Sequence, residues 1–305
     1  TMIEFEKVIR RERPDWVIVV GDVNATLACS VTAKKEHIRV AHIEAGLRSR
    51  DRTMPEEINR LVTDSLSDLL FTPDLLAGEN LLAEGVPEEK IRFVGNIMID
   101  TMDRHLEQAK KLDIEQIIRE NLIARPHHDI PHGIPRDPYA LMTLHRPSNV
   151  DRPEILVPLI RFLTGEVCRD MKLIWPVHPR ALKQLETFSV MQEVMACPDL
   201  ILLHPIGYLE MLRLNMDARI MLTDSGGLQE ECTVLGTPCL TLRRNTERPV
   251  TLREHGGASI LVGEEIEKLR LAWQQMSRMP REPYRPSLWD GHTAERIVEI
   301  LVHET

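Results

Sequence analysis

The chain alternates short, wholly apolar runs with longer stretches in which apolar residues recur at helical spacing. The runs at Trp16–Val20 and 218–223 show no strict alternation of apolar and polar residues, which is typical of strands buried on both faces of a parallel sheet. Helix-like stretches separate the runs, and hairpin turn signals do not. We therefore predict an α/β fold of two Rossmann-like domains with parallel sheets.

A proline-rich stretch divides the chain in two. A length of 305 residues suits two domains of roughly 100–150 residues each. The stretch contains His127, His128, Asp129 and His132, but metal ligands normally lie on a scaffold that fixes their geometry. We interpret it as an exposed linker without a metal. The predicted division is an N-terminal domain over 1–124, a linker over 125–138, a second domain over 139–288 and a closing helix over 289–305.

Three carboxylates follow strands or begin a helix in the first half of the chain. Asp22 comes after Trp16–Val20, Glu44 comes after the next strand, and Glu56 lies in a helix that begins at Pro55. Ligands of open α/β sheets bind at the carboxyl ends of the strands, so we expect these side chains to converge. Each acid alone would also fit a solvated loop, but three at equivalent positions favour a shared site.

A glycine turn separates a strand from a helix in the second half. The turn runs through Ser225, Gly226 and Gly227, and we place Glu230 and Glu231 in the first turn of the helix. Glycines allow a ligand to approach the backbone, and free N–H groups at a helix start favour a phosphate. A carboxylate at Glu231 is placed to accept hydrogen bonds from the hydroxyls of a ribose. We call this segment the nucleotide seat, although an ordinary strand-to-helix turn has the same pattern.

The net charge, the cysteine content and the lack of long apolar runs argue against several classes of protein. The formal net charge of −9 at pH 7 argues against a broad nucleic-acid or anionic membrane surface. The five cysteines are scattered and include no C-x-x-C pair, which predicts reduced thiols and no zinc or disulfide framework. The sequence has no apolar run near the ~20 residues of a membrane span and no signal-peptide pattern, so we expect a cytoplasmic protein.

Seven short segments carry the most distinctive sequence. They are residues 21–22 (GD), 41–48 (AHIEAGLR), 55–60 (PEEINR), 95–96 (GN), 144–146 (LHR), 225–231 (SGGLQEE) and 246–249 (TERP). Together and in this order they resemble the non-hydrolysing UDP-N-acetylglucosamine 2-epimerases. The resemblance implies a glycosyltransferase-B-like fold with the active site in the cleft between its domains and with the C-terminal helix packing back on the first domain. It also implies epimerisation at C2 of UDP-GlcNAc to UDP-ManNAc without metal or nicotinamide, by a homodimer.

The resemblance assigns roles to individual residues. By it, Asp22, Glu44 and Glu56 form the acid/base group, and it does not single out the one that removes the C2 proton. His145 and Arg248 are implied to face the diphosphate. The nucleotide seat is implied to supply N–H groups to the diphosphate and a carboxylate to the ribose.

The chain also departs from the family's pattern. Ser148 stands where many members carry a glutamate of an allosteric UDP-GlcNAc site, and the family's opening strand with its Gly-Thr-Arg-Pro-Glu loop is not in this sequence. We therefore expect an incomplete first domain in which the Trp16–Val20 strand has an uncovered edge and face. We also expect retained UDP binding and little epimerisation by these 305 residues. The alternatives left open are a hydrolysing 2-epimerase, a glycosyltransferase of the same fold and an inactive UDP-binding fragment.

Overall fold

The computed structural model describes residues 1–123 and 138–304, which form two compact units. Unit 1 comprises Thr1–Arg104, Thr246–Val250 and Arg285–Thr305, and unit 2 comprises His105–Asn245 and Thr251–Tyr284. Each unit is an α/β layer structure on one parallel sheet, so the predicted fold class is confirmed.

The observed divisions differ in place from the predicted ones. Residues 105–123 group with unit 2, and the closing segment starts at Arg285. The predicted linker, with its three histidines and Asp129, lies outside the described residues except for Pro138.

Strands and helices alternate in both halves of the chain. Through residue 121 they are α1 (Met2–Glu12), β1 (Trp16–Val20), α2 (Asn24–Lys35), β2 (Arg39–Ile43), α3 (Pro55–Leu66), β3 (Leu69–Thr72), α4 (Leu75–Ala83), β4 (Ile91–Phe93), α5 (Ile97–Ala109) and α6 (Ile114–Asn121). From residue 139 they are β5 (Tyr139–Thr143), α7 (Pro147–Val150), α8 (Pro153–Phe162), α9 (Cys168–Asp170), β6 (Lys172–Pro176), α10 (Pro179–Thr187), α11 (Met191–Ala196), β7 (Leu200–Leu203), α12 (Tyr208–Asp217), β8 (Ile220–Thr223), α13 (Gly226–Leu235), β9 (Cys239–Thr241), β10 (Ser259–Leu261), α14 (Ile266–Met276) and α15 (Thr293–Glu304). Short 3₁₀ and π turns join some of them.

Unit 1 has a four-stranded sheet in the order β1-β2-β3-β4. Part of its core lies between the sheet and α15, where Ile297 and Leu301 pack with Ala41, Ile43 and Phe71. Within the described part of the chain, no helix here or in unit 2 is long and apolar enough to cross a membrane.

The uncovered edge and face expected for Trp16–Val20 are observed at β1. Val17 and Val19 are buried, but Ile18 and Val20 are 49% and 48% exposed. Among the described strands β1 pairs with β2 alone, so it lies at the sheet edge with one face open. An apolar run predicts a strand, but whether both faces are covered depends on elements elsewhere in the chain.

Unit 2 has a six-stranded sheet in the order β10-β9-β8-β5-β6-β7. The buried run that we placed at 218–223 is strand β8, which begins at Ile220 and pairs with β5 through Thr143 and Thr223. The chain proceeds outward from β5 in one direction and returns to β8 on its other side. The carboxyl ends of β5 and β8 therefore flank a topological switch point, which is where open α/β sheets bind ligands.

Candidate functional site

Asp224, at the carboxyl end of β8, joins the two strands of the switch point. Its side chain is fully buried and accepts backbone hydrogen bonds from His145 at 3.1 Å and Arg146 at 2.8 Å. The Asn149 amide donates at 3.1 Å, and His145 Nδ1 lies 2.8 Å from Asp224 Oδ1. Burial works against ionisation of Asp224, but His145 and these donors outweigh it and hold its pKa below the usual range. An ionised Asp224 thus fixes the loop after β5.

His145 lies at this switch point as the sequence predicted. Its side chain is 41% exposed, and because Nδ1 faces Asp224, Nε2 points away from that carboxylate. The His178 ring, which follows β6, lies 5.9 Å from the His145 ring between centroids. Sequence reasoning did not assign Asp224 or His178 to the site. The position of Asp224, directly between a buried strand and the glycine turn, was the signal for it.

The nucleotide seat differs in one respect from our prediction. Helix α13 begins at Gly226 with Ser225 as its N-cap, so both glycines are helical and Glu231 lies in the second turn. The predicted first-turn placement of Glu230 and Glu231 is wrong, because the two glycines do not form a turn ahead of the helix.

The start of α13 is open. Within the described residues, no atom lies within 4 Å of a Cβ built on Gly227, and the Ser225 side chain makes no capping hydrogen bond. Packing inside the unit therefore does not require glycine at residue 227. Space next to the first free N–H groups of a helix suits an anion.

Glu231 is buried without a cation. It is 7% exposed, and its Oε2 has no hydrogen-bond partner among the described residues. Burial raises the pKa of Glu231 to about 7, against the opposing effect of the Tyr208 and Asn215 side chains. Near neutral pH the Glu231 carboxyl is therefore present in both its protonated and its ionised form. Its Oε2 is available to accept a hydrogen bond from a ligand.

In unit 1 the structure brings Asp22 and Glu44 together. A Cβ built on Gly21 would lie 3.1 Å from Glu44 Oε2, so the Glu44 carboxylate lies against the turn that carries Asp22. Glu44 has φ +69°, in the left-handed region that non-glycine residues rarely adopt. Such backbone strain clusters at functional sites, where the surrounding structure maintains it.

Arg60 holds Asp22 from α3. It is 1% exposed, hydrogen-bonds the Asp22 carboxylate through Nη1, and lies 2.8 Å from Glu57 Oε2 through Nη2. Glu57 also accepts hydrogen bonds from Ser49 N and Oγ and from Arg50 N, each at 2.9 Å. Burial opposes ionisation of Glu57, but Arg60 and these donors prevail and lower its pKa.

Glu56, the residue that the sequence pointed to, is partly exposed at the start of α3. Its side chain makes no hydrogen bond or ion pair with another described residue. The structure thus joins two of the three predicted carboxylates and leaves the role of Glu56 a prediction. Glu57 and Arg60 were missed because the PEEINR segment does not reveal which of its side chains point inward.

A second buried network supports the Gly21 turn. His42 Nδ1 lies 2.6 Å from Asp64 Oδ1, and His42 Nε2 lies 2.9 Å from the Gly21 carbonyl oxygen. Arg48 Nη1 lies 2.7 Å from Asp64 Oδ2. His42 and Arg48 belong to the AHIEAGLR segment, so part of that distinctive sequence holds the loop that presents Asp22.

Arg248 belongs to the Thr246–Val250 segment of unit 1. It is 8% exposed, with Nη1 2.5 Å from Glu247 Oε1 and Nη2 3.7 Å from Glu44 Oε1. Both of these neighbouring groups are carboxylates, and the predicted contact of Arg248 with a diphosphate stays a prediction.

Comparisons with known proteins agree on one family. The profile of the UDP-N-acetylglucosamine 2-epimerase family matches residues 1–302. The chain is 42% identical over 303 residues to a UDP-N-acetylglucosamine 2-epimerase of Methanocaldococcus jannaschii, covering 99% of this chain and 79% of that protein. It is 38% identical over 267 residues to a UDP-2,3-diacetamido-2,3-dideoxy-D-glucuronate 2-epimerase of Pseudomonas aeruginosa, covering 86% of this chain and 67% of that protein.

A solved structure is similar over the same span. The structure of Methanocaldococcus jannaschii UDP-GlcNAc 2-epimerase in complex with UDP-GlcNAc and UDP matches with a TM-score of 0.86 and 42% identity, covering 99% of this chain and 79% of that one. The similarity therefore extends to the arrangement of strands and helices as well as to the sequence.

Proposed function

The chain belongs to the UDP-N-acetylglucosamine 2-epimerase family, and we propose that it interconverts UDP-GlcNAc and UDP-ManNAc by eliminating UDP across C1–C2 and adding it back. The observation that carries the proposal is the nucleotide seat at the switch point of unit 2. There an open helix start and a buried, incompletely bonded Glu231 offer the two partners that a nucleoside diphosphate requires.

In this proposal unit 2 holds the UDP moiety. The first N–H groups of α13, from Gly226 and Gly227, donate to the diphosphate, where the helix dipole favours negative charge. His145 presents Nε2 to the same phosphates. The ribose hydroxyls donate to Glu231, whose Oε2 has no described partner. When UDP binds, this buried carboxylate oxygen gains the charge-assisted hydrogen bonds that it otherwise lacks.

In the same proposal unit 1 supplies acid/base groups. The C2–H of the sugar is not adjacent to a carbonyl and is barely acidic, so a positioned base and a stabilised leaving group are both required. Asp22, Glu44 and Glu56 take these proton-transfer roles, and Arg60 fixes the direction of the Asp22 carboxylate. Return of the proton to the opposite face of C2, followed by re-addition of UDP, inverts that centre.

Incubation with UDP-GlcNAc in heavy water tests this function. The proposed function predicts that UDP-ManNAc forms with deuterium at C2 and that UDP-2,3-diacetamido-2,3-dideoxy-D-glucuronate reacts more slowly. The departures from the family's pattern in these 305 residues predict little turnover instead, so the amount of product distinguishes the two expectations. Asp22→Asn, Glu44→Gln and Glu56→Gln should each reduce exchange by about 10²–10⁴-fold, with UDP affinity retained in calorimetry. Glu88→Gln, at an exposed carboxylate, is the matched control and should leave the rate unchanged.

The other outcomes assign other functions. Free ManNAc in place of UDP-ManNAc would indicate a hydrolysing 2-epimerase, and transfer to an added acceptor would indicate a glycosyltransferase. UDP binding without any of these reactions would indicate a protein that binds the nucleotide and does not catalyse a reaction on the sugar. Exchange at the unchanged rate in all three amide variants would remove the carboxylates from the mechanism.

Two further expectations complete the proposal, the first from the lack of a membrane-spanning or signal-peptide pattern in the sequence and the second from the family resemblance. We place the protein in the cytoplasm and expect a homodimer. Light scattering coupled to size exclusion measures the mass in solution and would contradict the second expectation by giving a single chain's 35.0 kDa.

A further inference from the structure

One arginine in unit 2 holds the carboxyl ends of two helices. Arg281 Nη1 donates to the carbonyl oxygen of Ala218 at 2.9 Å, and Arg281 Nη2 donates to that of Leu235 at 3.1 Å. Both nitrogens also lie 3.4 Å from the carbonyl oxygen of Asn215. Asn215 lies in the last turn of α12, Ala218 is the C-cap of that helix, and Leu235 is the last residue of α13. The guanidinium therefore joins the ends of α12 and α13.

The hydrogen bonds of Arg281 satisfy groups that the two helices leave without a partner. The last four carbonyl groups of an α-helix have no donor within that helix, and a cation is favoured at this end of the helix dipole. A guanidinium can reach several acceptors at once because its N–H donors spread in a rigid plane. Thr237, which is fully buried, accepts from Arg281 Nη2 at 2.7 Å and donates to the Asn215 carbonyl oxygen at 3.2 Å.

The residues after Arg281 lie along the end of α13. Glu282 N donates to the carbonyl oxygen of Gly236 at 3.2 Å. A Cβ built on Gly236, which has φ +74°, would lie 2.4 Å from Pro283 N. The backbone that carries Arg281 is therefore packed directly against the carboxyl end of α13.

The two helices that Arg281 joins carry the ribose-binding part of the proposed site. Helix α12 begins at Tyr208, and Glu231 lies in α13. Side chains of the two helices meet where Cys232 Sγ, next to Glu231 in the sequence, donates to Asn215 Oδ1 at 3.6 Å. Tyr208 and Asn215 are also the side chains that oppose the raised pKa of Glu231. The spacing of α12 and α13 therefore sets the surroundings of the Glu231 carboxyl.

We propose that Arg281 is a positioning residue of the nucleotide seat, which fixes the spacing of α12 and α13 and with it the direction of the Glu231 carboxylate. The role rests on the proposed binding of UDP and adds to it a residue that acts on the ligand only through Glu231. Arg281 acts from the carboxyl end of α13, whereas the diphosphate is proposed to bind at the amino end. Such support matters because a binding group has to be held within about 0.5 Å of its productive place.

Arg281→Lys in the full chain tests the role. Lysine keeps the charge but cannot reach several carbonyl groups at once, so α12 and α13 should move apart and uridine should bind about tenfold more weakly. Uridine has no phosphate, so its affinity reports on the ribose contact. Arg219→Lys is the matched control, because Arg219 Nε donates to the carbonyl oxygen of Ser277 at 2.8 Å in the same unit. Among the described residues the Arg219 side chain makes no hydrogen bond to α12 or α13, and its variant should bind uridine as the unmodified chain does.

The titration of Glu231 in the free protein is a second measurement, which a purely structural role of Arg281 would not change. The ¹³C NMR signal of the Glu231 carboxyl is assigned with Glu231→Gln. In Arg281→Lys its midpoint should rise by at least about 0.5 pH unit, because Tyr208 and Asn215 move away from the carboxyl, and in Arg219→Lys it should stay in place. The measurement uses no ligand, so it also decides the role of Arg281 in a protein that does not bind uridine, an outcome that would count against the proposed function alone.

Thr237→Val replaces Arg281→Lys if the latter does not fold. It removes the hydroxyl between Arg281 and Asn215 and leaves the guanidinium in place, so the Glu231 midpoint should rise by a smaller amount. An unmoved midpoint in folded Arg281→Lys, or in Thr237→Val where that variant is used instead, would overturn the proposal whatever the melting temperature.

Discussion

Two buried glutamates, Glu57 in α3 of unit 1 and Glu231 in α13 of unit 2, meet opposite electrostatic conditions. Each is the second member of a Glu-Glu pair in a helix, and they are 2% and 7% exposed. Glu57 accepts hydrogen bonds from the Arg60 guanidinium and from the Ser49 and Arg50 backbone, and its pKa is lowered. Burial instead raises the pKa of Glu231 to about 7.

The difference shows that burial alone does not set the charge of a carboxylate. Both side chains expose little surface to solvent, but Glu231 lies deeper in the protein, so the depth of burial and the donors around each carboxylate together decide its ionisation. No arginine or lysine among the described residues forms an ion pair with Glu231, whose side-chain neighbours Tyr208 and Asn215 are neutral. Arg60 thus holds the Glu57 carboxylate in its ionised form, whereas Glu231 has one acceptor oxygen, Oε2, without a partner among the described residues.

Removing Arg60, the cation beside Glu57, should have the largest effect on the free energy of unfolding. Arg60→Ala leaves Glu57 buried without its guanidinium, and breaking a buried pair typically costs about 3–5 kcal/mol. Urea denaturation at pH 7 should show a loss of that order. Arg10→Ala, which removes an exposed ion pair with Glu36, should have a much smaller effect.

The pH dependence of the Arg60→Ala loss distinguishes charge from packing. In the unmodified protein the lowered pKa of Glu57 contributes stability above its unfolded value, and this contribution is lost as pH falls through the folded value. The variant lacks that contribution, so the difference between the two proteins should shrink in acid. A loss that is the same at pH 4 and pH 7 would mean that Arg60 acts by packing alone.

The surroundings of Glu231 predict that stability falls with rising pH while uridine binding strengthens. Because the folded pKa of Glu231, about 7, exceeds its usual 4.5, its contribution to stability is complete below pH 4.5 and is lost as pH rises through 7. The full change is on the order of 3 kcal/mol. Ribose hydroxyls prefer the ionised form, so uridine, which has no phosphate to titrate, should bind about tenfold more weakly at pH 6 than at pH 8.

Glu231→Gln is the control for both trends. It should bind uridine weakly at every pH and should abolish the loss of stability between pH 4.5 and 7. An affinity of the unmodified protein that stays constant from pH 6 to pH 8 would contradict the assignment of Glu231 to the ribose.

The smallest effect should come from Tyr208, which opposes the raised pKa of Glu231. Tyr208→Phe removes a hydrogen bond on the order of 1 kcal/mol, which should move the midpoint of the uridine-binding curve upward by about 0.5–1 pH unit. Tyr284→Phe, at a tyrosine of similar exposure, should leave the midpoint in place. A midpoint that does not move with Tyr208→Phe would show that Tyr208 does not contribute to the pKa of Glu231.

Local sequence determined most of the secondary structure. The apolar run at Trp16–Val20 coincides with β1, the run at 218–223 contains β8, and a helix begins at Pro55 as predicted. These features depend on neighbouring residues: an apolar run predicts a buried strand, and a proline without an N–H is tolerated where a helix starts. The resemblance of seven segments to one family also came from sequence alone.

Tertiary structure decided which side chains share an environment. Whether Glu56 or Glu57 turns inward and whether Asp224 reaches the loop after β5 depend on contacts between separate segments. Local periodicity does not contain that information, because the donors that set a pKa lie elsewhere in the chain. The chemistry of a buried group is therefore a property of the packing, even where its place along the chain is plain from the sequence.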